Sequence, residues 1–349
     1  MRIIQTRNVH GALPLGLEYI QQQGIPRESR NGPVLVSPWP VTTIYTNPCE
    51  RVLFWPQRDA NPFFHLYESL WMLAGRNNVA PLVRYVKRST DYSDDGKILH
   101  GAYGYRWRHF PLGGHDKDQL AIIAERLKKN PEDRRCVLQM WDCTIDLMTD
   151  EDAKTSNLGK DFPCNTIATF QRGSKGELNL VVFCRSNDII WGCYGANAVQ
   201  FSMLLEYMAR WIGCQVGTYS QISVNYHAYL DTLQQVKDMP WISNPYSLGI
   251  VRYIPMSQDH ELLDGYILDL LNQVDTGFQD KITYRDPFFE MADTVLRAHH
   301  LWKTLPAPQR YTISLDLLNQ QDSTIDWVVA SREWIERRYI KWQQNGDKK

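Results

Sequence analysis

The sequence predicts an α/β (α+β) protein with a helical C-terminal third. Short stretches with the two-residue alternation of strands lie among segments of helical periodicity up to about residue 230. Beyond Tyr229 the strand texture stops and helical patterns dominate. A chain of 349 residues, 43% apolar and 22% charged, fits one α/β domain with an appended lobe. The same composition excludes wholesale disorder, collagen and coiled coil.

Residues 24–33, GIPRESRNGP, form a breaker cluster and are expected to be irregular. Val34–Val36 and Thr42–Tyr45 read as short strands. Phe63–Leu73, FFHLYESLWML, reads as an apolar helix stopped by Gly75. Residues 89–104 read as loop. Asp118–Asn130 is an amphipathic helix, with Leu120, Ile122, Ile123 and Leu127 assigned to one face. Arg135–Trp141 reads as a strand. Thr166–Gln171 and Glu177–Arg185 make a strand pair around a GSKG turn. Ala198–Ile212 is apolar enough to be the central helix, and Val216–Val224 returns to strand. Helices follow over Gly265–Val274, Pro287–Leu305 and Thr324–Trp342. The last carries Trp327, Val328, Trp334, Ile335 and Trp342 in a stripe expected to pack on the body. The terminal QQNGDKK is expected to fray.

Several function classes drop out. With 38 basic and 39 acidic residues the formal charge is −1, so the chain lacks the basic excess of a nucleic-acid binder. Its 7 cysteines include no CxxC pair, and its histidines show no HExxH spacing, so no metal site is indicated. The N-terminus lacks the pattern of a secretory signal, and no apolar run reaches the ~18 residues of a membrane span. A cytoplasmic protein with reduced thiols, each by default a small buried hydrophobe, is expected.

Chemistry concentrates between Asp161 and Tyr229. Cys164, in DFPCNT, directly precedes a strand, where rigid neighbours hold a side chain in place. A thiol becomes a strong nucleophile when a positive group lowers its pKa. Arg185, in CRSND at a strand end, is a candidate for that field or for clamping a phosphate, and Asp188 offers an acceptor nearby. Alone, such a cysteine is usually inert core and such an arginine a surface ion pair. Their combination in order changes the reading.

The order FPCN, FCRSND, GCYGAN, a helix, then VNYHAY resembles the thymidylate synthase superfamily. HLYESLWMLAGRNN at 65–78 looks like that family's acidic helix, GAYGYRWR at 101–108 like its tyrosine-glycine loop, NPEDRR at 130–135 like its double-arginine segment, and SRNG at 29–32 like its phosphate-loop arginine. The resemblance covers roughly residues 15–230. It implies a mixed sheet flanked by helices as the catalytic domain over 1–230, with 231–349 a mostly helical extension packed on the body. It also implies one-carbon transfer to C5 of a pyrimidine deoxynucleoside monophosphate, with 5,10-methylenetetrahydrofolate as cofactor. Cys164 would add to C6, making C5 nucleophilic. Glu68 would act as acid/base through ordered water, with Tyr103, Asn165 and Asp188 completing the catalytic set. The 5′-phosphate would meet guanidinium forks from Arg30, Arg185, Arg134 and Arg135, with Ser186 adding a contact. Arg134 and Arg135 would reach across a homodimer interface. His227 and Tyr229 would hold the sugar, Asn197 (or Ala196 on a one-residue slip) would read the base, and Asp188, Gly192 and Tyr92 would meet the folate.

The chain departs from the synthase pattern in ways that bear on the product. Asn165 stands where the synthase has histidine, as in the phage hydroxymethylase branch, which also shares RSND. A shielding aromatic is replaced by Ser89, while Tyr92 keeps a second aromatic position. The short C-terminal lid gives way to a long extension, and the base-reading stretch is GCYGANAVQ. Losing a shield and a lid admits water, so hydroxymethylation is expected over reductive methylation. Uracil and cytosine both remain open, because an asparagine amide pairs with either. A Cys-His hydrolase built on Cys164 and His227 leaves the arginines unexplained, and a catalytically retired nucleotide-binding homologue leaves the intact Cys, Glu and Arg set unexplained.

Overall fold

The computed structural model describes residues 1–346 apart from 113–114, 157–158, 237, 258 and 281. Its strands are β1 (Arg2–Thr6), β2 (Ile25–Arg27), β3 (Val34–Val36), β4 (Val41–Tyr45), β5 (Phe110–Leu112), β6 (His115–Lys117), β7 (Val137–Gln139), β8 (Asn165–Arg172), β9 (Leu178–Asp188) and β10 (Val216–Tyr229). The main sheet runs β1-β4-β10-β9-β8-β7, with β3 pairing the far end of β10 and β2 pairing β3. Pairs β1–β4 and β9–β10 are parallel and the remainder antiparallel, so the sheet is mixed as expected. β5 and β6 form a separate ribbon.

One side of the sheet is covered by helix Asn197–Ile212, which is buried along its whole length except at Trp211. A helix that is apolar all round belongs in a core, and Gly213, at φ 80°, ends it in the left-handed cap that glycine adopts without strain. Its one carboxylate, Glu206, is fully buried and is held by Arg51, by Arg210 and by the backbone N–H of Met256. That pairing offsets a desolvation cost that would otherwise be prohibitive.

Helix Pro62–Leu73 begins where Asn61 accepts the Phe64 N–H at 3.1 Å, with proline in the first turn. It packs against the central helix on one side. On the other it meets the C-terminal helices His260–Thr276, Pro287–Thr304 and Asp326–Gly346. Phe63 lies edge-on to Trp334 at 5.4 Å, and Tyr85 stacks on His299 at 4.5 Å. Asp59, at φ 43°, receives both Arg337 and Arg338. The tryptophan stripe therefore packs on the body, apart from Trp342, which stays exposed.

Several expectations need correction. The breaker cluster contains strand β2. The loop over 89–104 includes the end of a 3₁₀ turn, Lys87–Tyr92, and the start of helix Tyr103–Arg108. In helix Gln119–Lys129 the buried stripe is Leu120, Ile123, Ala124 and Leu127, and Ile122 points to solvent. The predicted strand over Arg135–Trp141 shrinks to Val137–Gln139, whereas β10 extends five residues further, to Tyr229. Fraying does not begin at 343, because the last helix runs to Gly346; residues 347–349 lie outside the described residues. Cysteine burial also varies: Cys143 is exposed, and Cys164 and Cys214 are partly so.

Candidate active site

Cys164 sits one residue before β8, at the end of a tightly held loop. The Tyr103 hydroxyl accepts the Cys164 N–H at 3.1 Å and the Asn165 N–H at 3.4 Å. Asp161 accepts the Gly101 N–H at 2.8 Å, so the DFPC and GAYG segments are laced together. Arg185 closes the other side, donating its Nε–H to the Pro163 carbonyl at 2.9 Å and a second N–H to Phe162 at 3.2 Å. Burial pushes the Cys164 thiol up, while Arg185 and Arg30 pull it down. The positive field expected from sequence is present, and in the free protein desolvation outweighs it.

Glu68 projects from helix Pro62–Leu73 toward the central helix, where Gln200 donates its Nε2–H to Oε2 at 2.6 Å. Burial raises this carboxyl to about 7, and the Gln200 bond works in the opposite direction. Both protonation states are therefore populated near neutrality, as a proton carrier requires. The Tyr103 phenol, raised well above its ordinary value by burial, stays neutral.

Four of the predicted substrate residues, from three separate stretches of chain, line one cavity of about 410 Å³: Arg30, Ser186, His227 and Tyr229. β3 and the ends of β9 and β10 supply its walls. The Tyr229 hydroxyl accepts from Asn31 at 3.4 Å, and the His227 and Tyr229 rings meet edge to face at 5.4 Å. Arg185 lines a separate cavity, with Trp141, Thr166 and Ile167, and its guanidinium lies over the Trp141 ring at 5.6 Å.

Asn197 is buried in a row of amides. Asn165 donates Nδ2–H to Asn197 Oδ1 at 3.1 Å, Asn197 donates to Asn187 Oδ1 at 3.1 Å, and Asn187 donates to Ser223 Oγ at 2.9 Å. Because the last partner is a hydroxyl, the whole row satisfies itself equally well when reversed. The buried Asn165 Oδ1 has no hydrogen-bond partner among the described residues. Gly192 makes room for this row: a Cβ there would lie 2.6 Å from Asn187 Oδ1.

Asp188, beside His227 in the β9–β10 register, caps the wide turn Ile189–Ala196 by accepting the Ile190 and Trp191 N–H groups at 3.1 and 3.2 Å. Burial raises its pKa, opposed by the Ile190 N–H and by His227. Trp191 beyond it is 58% exposed and lies over the buried Arg58, 4.6 Å from its guanidinium.

Other predicted residues stand apart from this group. Tyr92 is exposed on the 3₁₀ turn, and Ser89 is buried there, donating to the Val86 carbonyl at 2.8 Å. Arg134 and Arg135 are exposed ahead of β7, outside the linings of the two cavities described above; Arg135 is paired with Asp133 at 2.7 Å. Sequence reasoning passed over Gln200, Asn187 and Trp191. The RSND string contains Asn187, but nothing local signals the partners of Gln200 or the exposure of Trp191.

A thymidylate synthase family profile matches residues 18–243. Over 97% of this chain and 95% of the relative's length, the chain is 46% identical to a protein named deoxyuridylate hydroxymethyltransferase from Pseudomonas phage M6. A Bacillus phage SP01 protein of the same name is 35% identical over 74% of this chain and 66% of its own. One from Delftia phage PhiW-14 is 29% identical over 68% and 65%. A family match over residues 18–243 and a relative 46% identical over nearly the whole of both chains place it: the chain belongs to the thymidylate synthase family.

Proposed function

We propose that the chain is a folate-dependent hydroxymethyltransferase that converts deoxyuridine 5′-monophosphate to its 5-hydroxymethyl derivative. The observation that carries this reading is the convergence of Arg30, Ser186, His227 and Tyr229 on one cavity at the ends of β9 and β10, with β9 paired to the strand that Cys164 precedes. An anionic tail and a sugar hydroxyl are what such a lining recognises. The names carried by the phage relatives favour uracil over cytosine.

In this reading the phosphate settles among Arg30, Ser186 and Arg185, and Asn197 addresses the base edge. Nucleotide binding brings a further negative charge toward Arg30 and Arg185, so both arginines hold the phosphate as well as favouring the thiolate. Cys164 Sγ bonds to C6, and the ring electrons move to C5 and O4. Glu68, half protonated near pH 7, donates toward O4 or withdraws a proton from an ordered water as the step requires. The Tyr103 hydroxyl, anchored by two N–H donors, keeps its own proton to direct at the reacting ring.

The folate, with 5,10-methylenetetrahydrofolate as the specific form, supplies a one-carbon unit for C5 when bound. The residues beside Asp188 fit such a group. The exposed Trp191 indole presents a flat apolar face, and Gly192 beside it lets the backbone lie close against Asn187. Asp188 holds a carboxyl whose pKa burial raises, already accepting the Ile190 and Trp191 N–H groups. Tyr92 would reach the same group from the 3₁₀ turn. The buried Ser89 leaves no aromatic shield at that position, so the methylene carried on C5 is open to water.

A homodimer completes the site in this proposal. Val137, Thr169 and Val181 are register partners across β7, β8 and β9, and Ile167, Phe183 and Ile222 align across β8, β9 and β10. Val137, Val181, Phe183 and Val224 are all exposed on this four-strand area. Arg185 follows Val181 and Phe183 in the alternation of β9, so the phosphate residues lie at the patch's edge. A second copy seated there would bring its Arg134 and Arg135 to the phosphate.

Release of tritium from C5-labelled dUMP, compared with dCMP, tests the covalent step and the base. Accumulation of tetrahydrofolate with 5-hydroxymethyl-dUMP is expected. Steady growth of dihydrofolate absorbance would overturn hydroxymethylation in favour of methylation.

A further inference from the structure

Gln200 occupies the first turn of helix Asn197–Ile212, three residues after Asn197, so the two side chains share a helix face. It is buried, and its Nε2 lies 2.6 Å from Glu68 Oε2. Its other amide atom, Oε1, is buried without a hydrogen-bond partner among the described residues. A buried amide with one satisfied end is costly, and Gln200 uses that one satisfied end on the candidate proton carrier. An ionised carboxylate accepts only, whereas a protonated carboxyl also donates. A glutamine amide answers both: its N–H₂ donates to the ionised form, and the rotated amide accepts O–H from the protonated form.

We propose that Gln200 is a positioning residue that holds the Glu68 carboxyl in place through both halves of its proton transfer, by turning its amide as Glu68 gains and loses the proton. The inference rests on the role given to Glu68 above. It also means that one rigid helical turn carries both the base reader and the clamp on the proton carrier.

Several charged groups on the elements packed around Glu68 are engaged elsewhere. Glu206 and Arg210 on the central helix are bound up with Arg51. On helix Tyr103–Arg108, Arg106 is paired with Asp146, and Arg108 with Asp118 and Asp264. Asp275 is paired with Arg76, and Arg337 and Arg338 with Asp59. His299 is stacked on Tyr85, and burial pushes His65, on the same helix as Glu68, down to about 3, so it is neutral. Burial and the Gln200 hydrogen bond are the causes of the Glu68 displacement, and they act in opposite directions. Removing the bond leaves burial unopposed, so the sign is fixed: the carboxyl pKa rises further.

The test is the pH profile of tritium release from C5-labelled dUMP, with the one-carbon folate present, for wild type, Gln200→Met and Gln200→Glu. Methionine keeps the length and volume and offers neither amide dipole. Glutamate keeps the shape and adds a like charge. The acid-limb midpoint is expected to move up by about one pH unit in Gln200→Met and further in Gln200→Glu. Nucleotide affinity should stay within about threefold of wild type, because neither change alters the phosphate cavity. A purely structural glutamine would change the yield of folded protein and leave the midpoint in place. Gln200→Met or Gln200→Glu protein whose profile superimposes on wild type overturns the proposal. A wild type that releases no tritium at any pH would overturn the functional reading itself, a separate result.

Discussion

Asn197→Asp tests base reading most directly. Asn197 is buried, accepts from Asn165 and donates to Asn187, each at 3.1 Å. An aspartate keeps the first bond and turns the second into two oxygens facing each other. Asn187 can relieve that clash by rotating its amide, provided Ser223 then donates instead of accepting. The cost to folding is therefore held to about 1 kcal/mol, one weakened buried hydrogen bond. The cost to uracil is larger. O4 loses an N–H donor and meets a carboxylate, worth roughly 2–4 kcal/mol, or about 30- to 1000-fold in kcat/KM. Cytosine gains, because its N4–H₂ donates to a carboxylate. Competitive turnover of dUMP and dCMP by the purified variant measures the ratio, and a urea unfolding midpoint measures stability. A variant that folds normally and keeps the wild-type preference for dUMP would refute the assignment of Asn197 to the base edge.

Cys164→Ser is expected to lower tritium release by at least about 10³-fold while leaving nucleotide binding within severalfold, as judged by calorimetry. Mixing Cys164→Ser with Arg134→Ala or Arg135→Ala protein, each inactive alone, should restore about a quarter of wild-type turnover if sites are shared across a two-fold axis; no recovery after subunit exchange would argue for self-contained subunits. Gly16→Ala places a Cβ 2.2 Å from Tyr194 Cε2 and 2.4 Å from the Tyr226 hydroxyl. It should cost on the order of 1–3 kcal/mol in denaturation and raise the KM for nucleotide, because Tyr194 lies in the turn leading to Asn197. Asp59→Ala, which releases two partly exposed arginines, should lower the unfolding free energy by only about 1 kcal/mol and spare turnover at saturating substrate.

The site was legible in sequence wherever chemistry is concentrated in short ordered strings. FPCN, RSND and the HAY of β10 each lie at a strand end, and the last two bring Ser186, His227 and Tyr229 to one cavity. The strand ends converge once the sheet forms. The fold was less legible near the N-terminus. Helix Val9–Gln23 contains Pro14, Gly11 and Gly16, which argue against a helix locally, and it persists because packing against the β-sheet and Tyr194 overrides propensity. Strand β2 carries Pro26 inside the breaker cluster, which masks it, and β1 follows Met1 with no turn signal before it. Helix Gln309–Leu318 buries only Tyr311, Ser314 and Leu318, a stripe too sparse to read. Gln200 was invisible for a different reason: its partner lies 132 positions away, and nothing in NAVQFS announces a carboxylate. The stacking of Trp191 on Arg58 is likewise a long-range event.

Helix Pro62–Leu73 is wedged between the central helix and segments more than 180 positions further along the chain, with Asp59 meeting Arg337 across 278 positions of sequence. On the ribosome, a nascent chain that already holds every motif of the first 230 residues still lacks the buttress that fixes its acidic helix. The acidic helix is therefore held in place only once the distant C-terminal helices have docked on it.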